Sequence, residues 1–100
     1  MNLQVLAASN NWVQVLESTL QAGFKYERAL RLATRYGHTE CVRVLVQAGF
    51  KDEHVLYEAA TNGHTECVRV LVQAGFEDES ALYWATRYGH AECVKILKGK

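Results

Sequence analysis

Proline is missing from this 100-residue chain, and methionine occurs once. Without a proline ring to fix φ or remove an N–H, nothing in the chain breaks a helix outright, and glycine is left as the main punctuation. Excess charge is missing too, since Lys plus Arg and Asp plus Glu number 11 each. A neutral chain lacks the basic footprint of a nucleic-acid or anionic-membrane binder, so neither partner is expected. No apolar run approaches the ~18 residues of a membrane span. The opening "MNLQVLAASNNWVQVL" has no basic segment followed by a continuous apolar core, the signature of a secretion signal. Three cysteines, an odd number, fit reduced thiols better than a disulfide framework, and the expected location is cytoplasmic.

What is present is repetition. The stretch "GHTECVRVLVQAGF" stands unchanged at 37–50 and 63–76; Gly37, Gly63 and Gly89 are 26 apart, as are Gly23, Gly49 and Gly75. The chain is a tandem array within one domain, with units at 1–24, 25–50, 51–76 and 77–100. Units this short cannot bury an apolar face alone and must stack into a solenoid. In "TECVRVLVQA", Cys41, Val42, Val44, Leu45 and Val46 form a wide apolar face, while Glu40, Arg43 and Gln47 form a solvent stripe. Gly49 is the expected left-handed helix stop, Phe50 should fold back onto Leu45, and Asp52 or Glu53 is the expected N-cap of the next helix. Each unit is thus helix, tight turn, helix, short turn, and the fold class is all-α.

The units also look familiar: "ALYWATRYGHAECVKIL" resembles the ankyrin repeat, whose helices read roughly T-P-L-H-x-A-A-x-x-G-H-x-x-V-V-x-L-L. Leu30, Leu56 and Leu82 match the family's leucine, Ala33, Ala59 and Ala85 its alanine, and His38, His64 and His90 its turn histidine. The family's usual repeat is about 33 residues. The residues missing here all fall between "AGF" and the next helix, where the family carries its β-hairpin finger. The resemblance therefore implies a right-handed, fingerless solenoid of four stacked helical hairpins. It also implies a protein-interaction scaffold, with each turn histidine hydrogen-bonded to neighbouring backbone. Gly37, Gly49, Gly63, Gly75 and Gly89 are structural in the same reading.

Comparing the copies with one another marks a candidate surface. In the first helix of each unit the buried edge stays small or apolar, while positions spaced i, i+3, i+4 and i+7 change. They are Arg28, Arg31, Leu32 and Arg35; His54, Tyr57, Glu58 and Thr61; and Ser80, Tyr83, Trp84 and Arg87. Tyr36, Asn62 and Tyr88 extend the edge. Tyr, Trp and Arg dominate interface hot spots, so this face is the expected binding site for a protein or peptide. Four basic residues stand against Glu27 between 25 and 35, whereas 51–61 and 77–87 each carry three acidic residues against one basic. The expected partner is acidic at one end and basic or apolar at the other.

Two chemical readings of the duplicated stretch fail. His38 with Cys41, His64 with Cys67 and His90 with Cys93 are three residues apart, but two ligands per unit fall short of zinc's usual four. Units stacked about 10 Å apart cannot pool their ligands. Thiol catalysis needs an exposed, acidified cysteine, and Cys41 lies on the apolar face with Leu45. No metal, cofactor or enzymatic activity is expected.

Ser18 and Thr19 stand where Val44 and Leu45 stand later, and Lys98 where Val46 and Val72 do, so both ends read as polar caps of a complete array. A monomer is expected, with the solenoid ends as the alternative, a dimer interface. The identical blocks imply recent duplication or consensus design. The rival to a recognition module is accordingly a designed or purely structural repeat protein with no natural ligand.

Overall fold

The computed structural model describes residues 2–99 and, among them, eight α-helices and no strand. They are α1 Leu3–Ser9, α2 Val13–Gln21, α3 Arg28–Arg35, α4 Thr39–Gln47, α5 Val55–Thr61, α6 Thr65–Gln73, α7 Glu79–Arg87 and α8 Ala91–Lys98. Consecutive helices pair as hairpins. The odd-numbered helices pack side by side in one row, and the even-numbered helices form a second row behind them. The stack is 39 Å long, so each of its units advances by roughly the usual helix-packing distance of ~10 Å. None of the described helices is long and apolar enough to cross a membrane.

Small residues let the first row close up. Ala29, Ala33, Ala59, Ala81 and Ala85 are fully buried there, while Leu45, Leu71, Val42 and Val68 fill the space behind them. Each such leucine contributes about 2 kcal/mol by leaving water. Val44 and Val46 are only half-buried, so the core face of α4 narrows to Cys41, Val42 and Leu45.

The helices stop where glycine turns the chain. Gly49 has φ +92°; its N–H reaches Val46 O at 3.0 Å, and the Phe50 N–H reaches Leu45 O at 3.1 Å. These two bonds satisfy carbonyls that the helix leaves open. α3 ends the same way, with the Gly37 N–H on Thr34 O and the His38 N–H on Ala33 O. In the first unit Asn11 takes this place at φ +58°, a conformation asparagine tolerates better than most residues.

Units are joined through the Gly-His turn. Nε2 of His38, His64 and His90 lies 2.9 Å from the carbonyl of Ser9, Arg35 and Thr61 respectively. Each acceptor is the last residue of the preceding unit's first helix. A carbonyl can only accept, so each ring donates Nε2–H to a helix end that lacks an internal partner. The ring also lies on the preceding glycine: a Cβ on Gly37 would stand 2.8 Å from His64 Nδ1, and one on Gly63 2.8 Å from His90.

Two local expectations need correction. Neither Asp52 nor Glu53 is the N-cap of α5; His54 is. The Asp52 carboxylate instead accepts the His54 N–H at 2.9 Å while turned toward Arg31. In the next unit Asp78 does cap α7, accepting from Ser80 N–H at 2.9 Å. Thr19 does not face solvent, as Ser18 does, but is 8% exposed. Its hydroxyl donates to Leu16 O and accepts from Gln4 Nε2 at 3.0 Å. Buried Gln4 also donates to Phe24 O and accepts the Tyr26 N–H, tying α1 to the turn after α2. Phe50, expected to fold back on its helix, is 3% exposed, while its equivalents Phe76 and Phe24 are half-buried and 52% exposed.

Candidate protein-interaction face

The variable stripes lie on α3, α5 and α7, neighbours in the first row, so the fold places them side by side. Leu32 leaves the candidate surface. It is 7% exposed, because its position lies at the contact line between stacked helices, where an apolar side chain is drawn inward. Its counterparts Glu58 and Trp84 are half-buried, as are Tyr57 and Thr61. Arg28, Arg35, Tyr36, His54, Asn62, Ser80, Tyr83, Arg87 and Tyr88 are exposed.

The basic end is largely answered from within. Arg31 grips Asp52 with two bonds, Nε to Oδ2 and Nη2 to Oδ1, both 3.1 Å. Arg35 Nε reaches Glu58 Oε1 at 3.2 Å. The hydrogen bond and charge of Asp52 raise the Arg31 guanidinium's affinity for its proton. Burial pushes the Asp52 carboxyl up, but the Arg31 and His54 hydrogen bonds and the Arg31 charge outweigh it and hold the carboxyl below its ordinary range. The charge gradient expected along the face is thus reduced by pairing between units. Nothing in the run of residues marks these pairs, which join positions 21 and 23 apart.

The other end is aromatic. Trp84 meets Tyr83 edge-on at 5.1 Å between centroids, stacks on Tyr88 at 5.7 Å and takes the Tyr57 ring edge-on at 6.4 Å. One cluster therefore bridges α5 and α7. Tyr83 and Tyr88 remain 58% and 55% exposed. Tyr36 stands apart against His38, at 6.1 Å. The four rings form a continuous surface of large, stiff groups with three phenolic hydroxyls for polar contacts.

The cysteines lie elsewhere. Cys41, Cys67 and Cys93 are at most 1% exposed, in the seam between units. The Cys41 thiol approaches Asn11 Oδ1 at 3.5 Å, while Cys67 and Cys93 approach the hydroxyls of Thr39 and Thr65 in the preceding unit. Burial pushes the Cys41 thiol up to about 11 and raises that of Cys67, so both stay protonated at neutral pH, the opposite of what a nucleophile needs. Among the described residues no three His, Cys, Asp or Glu side chains gather as metal ligands.

The chain matches the family model described as ankyrin repeats (3 copies) over residues 3–77 and 49–100. It is similar to the crystal structure of the human ASB11 ankyrin repeat domain, with a TM-score of 0.81 and 23% identity. The match covers 99% of this chain and 54% of that one, so this chain spans about half the length of the neighbour. At that identity the likeness concerns the fold alone. No curated protein sequence matches the chain.

Proposed function

Because the chain belongs to the ankyrin repeat family, we propose that it is a recognition module binding a protein or peptide through the aromatic half of its first-helix face. Ankyrin repeats are in general protein–protein interaction modules, and the fold is typically non-enzymatic. The observation that carries this reading is the cluster of Tyr57, Tyr83, Trp84 and Tyr88. Its rings contact one another across two helices and keep two tyrosines more than half exposed. Large aromatic groups held rigid by their neighbours lose little entropy on binding, which is why such clusters become hot spots. The paired arginines of α3 then act as a rim that fixes orientation more than affinity. The module works as a cytoplasmic monomer, a location in keeping with three free buried thiols.

The test is affinity capture from lysate by wild type and by a Tyr57, Tyr83 and Trp84 triple-alanine variant, with circular dichroism confirming that both fold. Loss of specific prey by the variant is the expected result, and identical prey sets would sink the reading. The rival reading, a designed or purely structural array without a ligand, draws on the two identical blocks and predicts no specific prey for either protein.

A further inference from the structure

Asn62 closes α5 in the third unit, with a unit stacked on each side, and of the four asparagines in the chain it alone is followed by glycine. Asparagine is thermolabile, because the backbone nitrogen of the next residue can attack its side-chain carbonyl carbon. Glycine, with no Cβ to crowd that nitrogen, is the most permissive successor. The Asn62 side chain is exposed, so only local geometry stands between it and this reaction.

In the fold that geometry is closed. At ψ 1° the Gly63 nitrogen is turned away from the Asn62 side chain, whereas ring closure needs the two eclipsed about the Cα–C bond. The carboxamide points the other way, its Nδ2 donating to Glu58 O at 2.9 Å, one helical turn back. The Gly63 N–H is donated to Ala60 O at 3.3 Å, and the His64 N–H to Ala59 O at 2.9 Å. From the fourth unit the His90 ring lies on Gly63, where an added Cβ would stand 2.8 Å from it, and its Nε2 donates to Thr61 O at 2.9 Å. The neighbouring unit thus holds the backbone on both sides of Asn62.

We infer that Asn62 is a site of spontaneous amide loss gated by the junction between the third and fourth units. When that junction opens, the Asn62 backbone is free to turn. The Gly63 nitrogen gives its proton to solvent base and bonds to Asn62 Cγ; the Cγ–Nδ2 bond breaks, and Nδ2 takes up a proton and leaves as ammonia. Water then opens the cyclic imide at one of its two carbonyls, which restores a peptide link and leaves one new carboxylate. Opening at the backbone carbonyl routes the main chain through Cβ, one atom longer, between a carbonyl held by His90 and a glycine with that ring upon it. Such a product closes the junction poorly, so opening leads to amide loss and amide loss to further opening. Because α7 carries Tyr83, Trp84 and Tyr88, an aged molecule loosens that part of the aromatic face. The inference stands whether or not that face binds a partner.

The protein is aged in neutral buffer and digested with trypsin, and the fragment 52–69, whose one side-chain amide is Asn62, is followed by mass spectrometry. Amide loss there should run roughly tenfold or more slower in native protein than in urea, since only the open fraction reacts. Asn10 is the internal control. It holds the equivalent place in the first unit, with Nδ2 on Leu6 O at 2.9 Å, but Asn11 follows it, so in urea it should react far more slowly than Asn62. His90→Ala should speed loss at Asn62 in the folded protein roughly fivefold, as removal of one hydrogen bond implies, and sucrose, which favours the compact fold, should slow it. Asn62→Gln cannot close the same ring and should end the loss in that fragment while leaving the urea melt as in wild type. Aged protein, separated on ion exchange by its extra negative charge, should exchange the amides of α7 and α8 faster than fresh protein. Equal rates in native protein and in urea, or indifference to His90→Ala and to sucrose, would overturn the gating. Equal rates at Asn10 and Asn62 in urea would overturn the site.

Discussion

Arg31 and Asp52 are 21 residues apart and meet only because stacking lays the turn before α5 against α3. Their two parallel bonds make the pair specific in geometry, but the Arg31 side chain is 41% exposed. Solvent screening limits such a pair to under about 1 kcal/mol. The sign of its pH dependence follows from the lowered Asp52 carboxyl. Above the ordinary carboxylate range both folded and unfolded chains are ionised, and the stabilisation is complete. As pH falls through the unfolded value and then the lower folded one, the unfolded chain takes up the proton first and the stabilisation is lost. Asp52→Asn should therefore be less stable than wild type at pH 7 by under about 1 kcal/mol. The gap should close below about pH 4 and narrow at high salt, both readable from urea melts. A gap that widens on acidification would refute the assignment.

Cys41 carries the opposite sign. Its thiol ionises near 9 in the ordinary case and near 11 in the fold, chiefly because burial disfavours the thiolate. Between those values the unfolded chain has lost a proton that the fold retains, so stability should fall as pH rises past 9. Cys41→Val should flatten that slope in denaturation curves taken from pH 7.5 to 10.5. Iodoacetamide should label the native protein far more slowly than the urea-unfolded chain; rapid native labelling of all three cysteines would contradict their burial.

At the scale of the element, the unit of construction is the glycine turn together with the histidine that packs on it from the next unit. Gly37 meets two separate demands, a φ of +72° and room for the His64 ring. Gly75 meets only the first, at φ +94° with open space around it. Gly75→Ala should then cost about 1–2 kcal/mol, the strain of a left-handed residue with a Cβ, and Gly37→Ala distinctly more. Removing the ring with His64→Ala forfeits its bond to Arg35 O and should cost about 1 kcal/mol. The double variant Gly37→Ala with His64→Ala should be less unstable than the sum of its singles, because the collision vanishes with the ring. Strict additivity in that cycle would mean that ring and glycine are not in contact.

The same element shows what the sequence made legible. Glycine spacing and apolar periodicity mark helices, turns and the period, because these depend on local backbone chemistry. Partnerships between units leave no such trace. The fate of Leu32 turns on how closely α3 is flanked, and that of Thr19 on Gln4, fifteen residues earlier, offering an amide to its hydroxyl. Asp52 accepts the His54 N–H as Asp78 accepts that of Ser80, but α5 starts only at Val55, and stacking alone brings Arg31 to its carboxylate. The stripe of variation was visible in the copies, but which half carries aromatic contact and which half pairs internally was not.

Over the whole molecule, each unit contacts only its neighbours, so stability should be close to a sum of unit and junction terms. The junctions are alike in kind, one histidine bond each at 2.9 Å, but the units are not equally filled. α3 and α4 fully bury Leu30, Leu45 and Val42, whereas α7 and α8 bury only Ala81, Ala85 and Cys93, with Leu82, Ile96 and Leu97 half-covered. Less apolar area leaves water in the fourth unit, so it should be the first to open. Native-state hydrogen exchange should show greatest protection in α3 to α6 and less in α7 and α8. His90→Ala, which cuts the last junction, should speed exchange in α7 and α8 by roughly fivefold, as loss of about 1 kcal/mol implies, while α3 to α6 stay as protected as before. His64→Ala cuts the stack in the middle and should raise exchange in the helices on both sides of that junction, α3 to α6. If the two variants gave the same pattern, the chain would be folding as one indivisible unit rather than as a row of coupled ones.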